Sequence, residues 1–324
     1  MSVINMSKIK KLLKEKKYSE IILEIKTFST EKNRSSVLHN LLGVCHASRK
    51  NKTEADVKNA LNSFEKAFYK DNLGEISLES LCNHIKLCAE MGRKESSLVN
   101  NFMISEKMYI EAERNFSDNQ KYLAHGIDLY KYLLKHKERI LIIEKILKLK
   151  KLDKLLGSLY ITSQMYLSKW KQKNFSEFQK KFINLFNTFD AKKLINLNQD
   201  KKKIKVGFLS PDFHKSHSIS YFIKNLIKDL KKTKFETVAL SLLKINQHDE
   251  TTENFKEVFD HWTDLGDTSD QEIVNTIQNS KIDILIDLAG LWSANRANIF
   301  NTRMCPLQIN WLGFNNASGF KEID

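Results

Sequence analysis

IKVGFLSPDFHKSHSISYF, residues 204–222, is the stretch whose reading decides the fold. Ile204 to Leu209 is short, apolar and β-branched, the pattern of a buried strand. Ile219 to Leu230 repeats its apolar residues at helical spacing. Between them runs a polar loop with two histidines. The alternation continues toward the C-terminus. Glu236 to Leu243 reads as a second strand, Glu253 to Phe259 as a short helix, and Ser269 to Asn279 as a helix opened by a capping box, with Ser269 three residues before Glu272. Ile282 to Leu288 is a third strand, Ala294 to Asn301 a helix, and Leu307 to Leu312 a fourth strand. Apolar strands alternating with helices predict a parallel sheet covered on both faces. Ligands of such sheets bind beyond the C-terminal strand ends.

Outward in the other direction, Asn196 to Lys203 (NLNQDKKK) is polar and charged and reads as a linker. Upstream of it, from Ser7 to about Phe189, apolar residues recur at helical spacing with no proline between them, which predicts eight to ten helices. The expected domains are therefore 1–195 (helical), 196–203 (linker) and 204–324 (α/β). A repeat opens the helical region. Leu42-Gly43 begins one helix, and Ala60, Phe64 and Ala67 follow with the spacing of a second that packs closely against it. This resembles the tetratricopeptide repeat. Ile21, Ile25 and Phe28 take the matching places one repeat earlier, with an insertion expected between Ala47 and Val57. A further half-repeat runs through Leu81, Leu87 and Gly92.

The length of 324 residues accommodates two cores. With 41% apolar and 28% charged residues the chain is globular rather than disordered. Two prolines and ten glycines leave little punctuation for an all-β fold. No apolar run reaches membrane-spanning length, and the Lys-rich N-terminus lacks the apolar stretch of a signal peptide. Cys45, Cys82, Cys88 and Cys305 show no CxxC spacing, which fits free thiols in a reducing cytoplasm. The net charge of +14 is uneven: residues 204–324 hold 13 basic and 16 acidic side chains, and the preceding 203 hold 40 and 23. The excess is mostly Lys, scattered among Ile, Leu and Asn. That is a compositional drift rather than the aromatic–basic interleaving of a nucleic-acid surface.

Three strand ends carry the unusual residues. After the first come Ser210, Asp212, His214, Ser216, His217 and Ser218, leading into a helix whose exposed N–H groups favour an anion such as phosphate. A histidine there can accept a proton or donate to a phosphate oxygen. The structural alternative is that Ser216 or Ser218 caps the helix and the histidines are surface residues. After the third strand come Asp287, Gly290, Asn295 and Arg296. Gly290 permits close approach of a ligand or backbone, and the structural alternative is a loop whose Asp287 stays solvated. After the fourth come Trp311, Gly313, Phe314, Ser318 and Gly319, a small, polar, glycine-bounded surface suited to a sugar or phosphate.

Taken together, IKVGFLSPDFHKSHSISYF, Asp260-His261-Trp262, DILIDLAG with Asn295-Arg296, and PLQINWLGFNNASG (306–319) resemble one family in order, spacing and identity. It is the bacterial branch of the O-linked N-acetylglucosamine transferases, the SPINDLY-like family with N-terminal tetratricopeptide repeats. The resemblance implies a GT-B glycosyltransferase: two Rossmann-like lobes with a UDP-sugar in the cleft, inverting the anomeric centre without a metal or other cofactor. The implied reaction moves N-acetylglucosamine onto Ser or Thr hydroxyls of proteins gathered by the helical repeats, in the cytoplasm. The family's motif histidine falls on His217. The loop is one residue longer than the usual form, so His214 is the second candidate for that place. The family's glycine-rich segment falls on Trp311, Gly313 and Gly319, beside the sugar nucleotide. The resemblance implies, as in bacterial relatives, a histidine after the glycine of the third strand end, where this chain has Leu291. The resemblance covers only the first lobe, so the chain is expected to be an incomplete part. It is expected to fold, to bind UDP at best on the order of millimolar, to expose apolar surface that favours self-association, and not to turn over alone. The alternative is a non-catalytic repeat scaffold for protein interactions.

Overall fold

The computed structural model describes residues 4–91, 99–167, 172–192, 203–215, 217–230, 233–291, 296–314 and 318–324. The chain divides into two compact units, Met1–Lys151 and Leu152–Asp324.

The first unit is helical: α1 (Met6–Lys14), α2 (Tyr18–Phe28), α3 (Ser36–Ala47), α4 (Glu54–Lys70), α5 (Glu75–Met91), α6 (Val99–Phe116), α7 (Gln120–Tyr132) and α8 (His136–Leu149). Polar side chains set several helix starts. Asn5, Ser35 and Asn119 accept from first-turn amides, and Thr53 with Asp56 closes a capping box on α4. The α3–α4 pair explains the small and aromatic spacing. Ala60, Phe64 and Ala67 are buried on α4, and the Phe64 ring occupies the space a Cβ on Gly43 would need. Only glycine there lets the two helices come so close. Ile21 and Ile25 are buried in the matching way, but Phe28, the last residue of α2, is 37% exposed and lies outside the pattern. Residues 48–53 join α3 to α4, inside the stretch where the spacing demands an insertion. Leu81 and Leu87 are buried on α5; Gly92 lies outside the described residues.

The second unit opens with α9 (Lys154–Gln164) and α10 (Gln172–Ile183). The alternating part follows: β1 (Ile204–Ser210), α11 (Ile219–Leu230), β2 (Phe235–Ser241), α12 (Glu250–Val258), β3 (His261–Asp264), α13 (Asp270–Asn279), β4 (Ile284–Asp287), a 3-10 turn over Ala297–Asn301, and β5 (Leu307–Asn310). The five strands are parallel in the order β3-β2-β1-β4-β5, with Gly207 opposite Val238 on one side and Leu285 on the other. This is a Rossmann-like lobe. Successive strand residues point to opposite faces. Phe208 and Ala239 therefore join a core with Ile223 and Ile227 of α11 and Phe255 of α12. Leu209, Leu240 and Leu285 join a second core with Ile273 and Ile277 of α13.

That second core differs from the sequence expectation. It also contains Ile161 of α9 and Phe175 and Phe182 of α10. The compact units thus divide at 151/152, not at 195, because these two helices cover the apolar sheet face that α13 covers only in part. Most of the expected linker lies outside the described residues. Strand β3 was not foreseen: four residues, HWTD, none fully buried, on the sheet edge, carry no apolar run to read. Of the expected helix Ala294–Asn301, residues 297–301 form a 3-10 turn; Ala294 and Asn295 lie outside the described residues.

Candidate active site

In a sheet of order β3-β2-β1-β4-β5 the winding reverses between β1 and β4. The crevice for a ligand opens there, beyond the C-terminal strand ends. All strands being parallel, the segments after β1, β4 and β5 leave the same edge.

The loop after β1 is held by its own backbone partners. The Ser210 hydroxyl is buried and accepts from the Asp212 amide at 3.0 Å. The Ser220 hydroxyl, in the first turn of α11, shares its one proton between the carbonyls of Asp212 and His214, each at 2.8 Å. This fixed loop turns both histidines toward one carboxylate. Asp212 lies 4.0 Å from His214 Nε2 and 3.8 Å from His217 Nδ1, and the two rings are 6.3 Å apart. Burial pushes the Asp212 carboxyl above its ordinary value, while His217 and then His214 pull it back. The His217 side chain is 41% exposed, and Ser218 is exposed. Ser216 lies outside the described residues. One expectation fails here. The first amides of α11 are already engaged: Ile219 N with His217 Nδ1 at 3.4 Å, Ser220 N with the His217 carbonyl, and Tyr221 N with the Ser218 carbonyl. The helix start therefore serves the histidine loop rather than standing open to an anion.

After β4, Asp287 is 1% exposed, so it is not the solvated residue of the alternative reading. Its carboxylate accepts from the amides of Ala289 (3.0 Å) and Gly290 (2.9 Å) and from the Asn310 side chain on β5 (3.0 Å). That carboxylate builds the turn in which Gly290 takes φ +64°. A Cβ on Gly290 would collide with the Phe314 Cβ, and one on Gly313 with the Leu288 carbonyl and, more mildly, with Ile219 at the start of α11. The three strand-end segments therefore touch, and these glycines make room for one another's loops. Leu312 sits in the left-handed region at φ +70° without being glycine, a strain that marks the bend after β5. Trp311 beside it is 41% exposed; Phe314 and Ser318 are buried.

Two expected residues face other parts of the unit. Arg296 donates to the Asp270 carboxylate at 2.5 Å and to the Thr268 carbonyl at 2.8 Å, at the start of α13. It lines a cavity of about 350 Å³ with Lys154, Phe182, Phe186 and Asn298. Gly319, at φ +82°, packs on Gln179 of α10. Asn295 lies outside the described residues. Sequence reading missed Asp287 as a turn builder, Asn310 as its partner, and the strain at Leu312. The carboxylate at the end of an apolar strand was the available signal for the first.

With this geometry, the match to known proteins is specific. Residues 178–324 match glycosyl transferase family 41. The matching segment runs from α10 through the whole sheet, all within the second unit. Among curated proteins, the probable UDP-N-acetylglucosamine–peptide N-acetylglucosaminyltransferase SPINDLY of Arabidopsis thaliana is 30% identical over 133 residues, 40% of this chain and 14% of that protein. The protein of the same name from Hordeum vulgare is 27% identical over 152 residues, 46% of this chain and 16% of that one. The chain thus matches less than a fifth of either relative's length. A solved structure of a Thermobaculum terrenum O-GlcNAc transferase mutant superposes with a TM-score of 0.60 at 17% identity, covering 92% of this chain and 54% of that one. That likeness is one of fold. No helix among the described residues is long and apolar enough to cross a membrane.

Proposed function

We propose that this chain carries one lobe of a UDP-sugar-dependent protein glycosyltransferase of family 41, moving N-acetylglucosamine onto Ser or Thr hydroxyls. The observation that carries the reading is the meeting of the β1, β4 and β5 loops at the switch point, with Asp212, His214 and His217 beside it, inside the segment that matches the family. In this reading the acceptor hydroxyl oxygen forms the new bond to the anomeric carbon from the face opposite the diphosphate. The bond from that carbon to the diphosphate oxygen breaks, and UDP leaves with the electron pair. The hydroxyl proton passes to an imidazole. His217 engages its own loop through Nδ1, which assigns Nε2 to the substrate. A neutral ring accepts at Nε2 only when Nδ1 bears the hydrogen, so in the reacting state Nδ1 gives up the Ile219 amide and donates instead to the Asp212 carboxylate. The separation of 3.8 Å would tighten as the site closes on substrate. Trp311 and Gly313 form the surface we assign to the sugar; Phe314, buried against Gly290, does not reach it. No metal enters the scheme.

Acceptor proteins held by the helical unit, a cytoplasmic location, and self-association through exposed Tyr221, Phe222 and Trp311 belong to the same proposal. A second reading, a non-catalytic scaffold, draws on Leu291, which is buried in the core at the place where the resemblance implies a histidine. Calorimetric titration of UDP and a mass-shift assay with a Ser/Thr peptide and UDP-N-acetylglucosamine separate the two. Binding weakened by Trp311→Ala, whose side chain is exposed, together with transfer abolished by His217→Ala in a protein that keeps its fold, supports the enzyme. The assay is run with the second lobe of such an enzyme supplied; neither binding nor transfer then, with the fold intact, supports the scaffold.

A further inference from the structure

The histidine loop is gripped from a second direction, by the start of α12. Asp249 caps that helix: one carboxylate oxygen accepts from the Thr252 amide at 3.0 Å, and the Thr252 hydroxyl accepts from the Asp249 amide at 3.2 Å. A capping box of this kind needs nothing further. Here both members use their remaining capacity on the loop after β1. The other Asp249 oxygen accepts from the Lys215 amide at 2.8 Å. The Thr252 hydroxyl, fully buried, donates to the Phe213 carbonyl at 2.8 Å. The two bonds straddle His214. The Lys215 amide is the foremost reason the Asp249 carboxyl lies below its ordinary range, ahead of its bonds to Thr252. Together with the Ser220 bonds to the carbonyls of Asp212 and His214, four consecutive residues, 212–215, are pinned through their backbone. Phe213 anchors them from beneath, packed among Phe255, Phe259 and Trp262.

The neighbouring helix provides the contrast. The α13 box, Ser269 with Glu272, satisfies only its own helix start: Glu272 accepts from the Ser269 amide and hydroxyl, and the Ser269 hydroxyl from the Glu272 amide. The same local motif thus occurs twice in one unit, and only the α12 copy reaches across to the candidate site.

We propose that Asp249 and Thr252 are positioning residues that fix the backbone carrying His214 and His217, and so set the two imidazoles against Asp212. The proposal rests on the glycosyltransferase reading for its consequence in catalysis, but not for the clamp itself. The test uses the full chain with 13C-labelled histidine. In the unaltered protein and in Thr252→Ser, which keeps the hydroxyl, the ring signals of His214 and His217 are single and sharp. In Asp249→Ala and Thr252→Val they broaden or split, while the signals of the other histidines hold. Ser269→Ala is the matched control: it removes a cap of the same kind, lowers Tm by a similar 2–4 °C or so, and leaves both ring signals unchanged. Sharp, unshifted signals in Asp249→Ala would overturn the clamp, as would equal broadening in Ser269→Ala. Where sugar transfer is measurable, Asp249→Ala lowers kcat by about 10²-fold with KM within about twofold, the scale of a group displaced by an ångström or so. Broadened rings with kcat unchanged would overturn the positioning role. Absence of transfer by the unaltered protein when a second lobe is supplied, with the ring signals behaving as described, would count against the glycosyltransferase reading and leave the clamp standing.

Discussion

His84 in the helical unit and His217 in the α/β unit both sit among polar partners, and water reaches only the second. His84 Nδ1 lies 2.8 Å from the Ser105 hydroxyl and 3.7 Å from the Cys88 thiol, with Ser105 and Cys88 3.8 Å apart. A histidine, a serine and a cysteine within hydrogen-bond reach are the parts of a nucleophilic site. All three are sealed between α5 and α6, with His84 1% exposed and the other two at zero. Burial pushes the His84 ring down to about 4 and the Cys88 thiol up to about 12, so both stay neutral. The Asp212–His214–His217 group has looser geometry, at 3.8–4.0 Å, but stands at a sheet edge where a substrate can arrive. The tighter cluster serves the core, and the looser one is the candidate for chemistry. Access and desolvation separate them, not the residue types.

The sharpest way to break this comparison is to remove each ring. With a second lobe supplied, His217→Ala should lower kcat for sugar transfer by roughly 10²-fold or more, the scale of a positioned acid–base group. His214→Ala should do much less. Because the His217 side chain is half-buried and holds one weak bond to the Ile219 amide, its removal should change stability by no more than about 1 kcal/mol in a denaturant melt. The reverse ranking of the two histidines would give the working position to His214.

His84→Ala should act oppositely. It opens a cavity and strips Ser105 of its partner, so it should destabilise the helical unit by about 2–4 kcal/mol, read by urea unfolding followed on helical circular dichroism. A loss below about 1 kcal/mol would show that the cluster is not the packed, dry network described.

Acid sharpens the same contrast. The unfolded chain protonates this ring near 6.5, whereas the folded chain does so only near 4. The unfolded state therefore binds more protons between those values. Stability contributed by neutral His84 is complete above about 6.5 and falls as pH drops toward 4, by at most about 1.4 kcal/mol per unit. Urea midpoints measured between pH 7 and 4 should show a shallower decline in His84→Gln. Identical slopes would mean that His84 does not remain neutral in the fold.

The smallest expected effect is a silence. Cys88, buried and held as the thiol, should resist iodoacetamide in the native protein and react only after unfolding. Prompt native alkylation would show that water reaches the cluster after all.

What the amino-acid order determined by itself is local. Period-3.6 apolar spacing marked the helices, apolar runs marked β1, β2, β4 and β5, and the Ser269–Glu272 box was legible because its members are three residues apart. The strand-end loops, with His214, His217, Gly290 and Gly313, were legible too, since the sheet's chemistry places ligands there and the resemblance quoted those residues. Only the tertiary structure decided the rest. It assigned α9 and α10 to the sheet, buried Asp287 beneath its turn, paired Arg296 with Asp270, and showed that Gly290 and Gly313 are small to admit neighbouring loops. It also joined Thr252 to Phe213 and Asp249 to Lys215. The physical reason is sequence separation. A helix or strand is selected by neighbours within a few residues, but burial and hydrogen-bond partnership depend on which distant segments the packed core brings together. No periodicity records that Asp249 lies beside an amide 34 residues earlier in the chain.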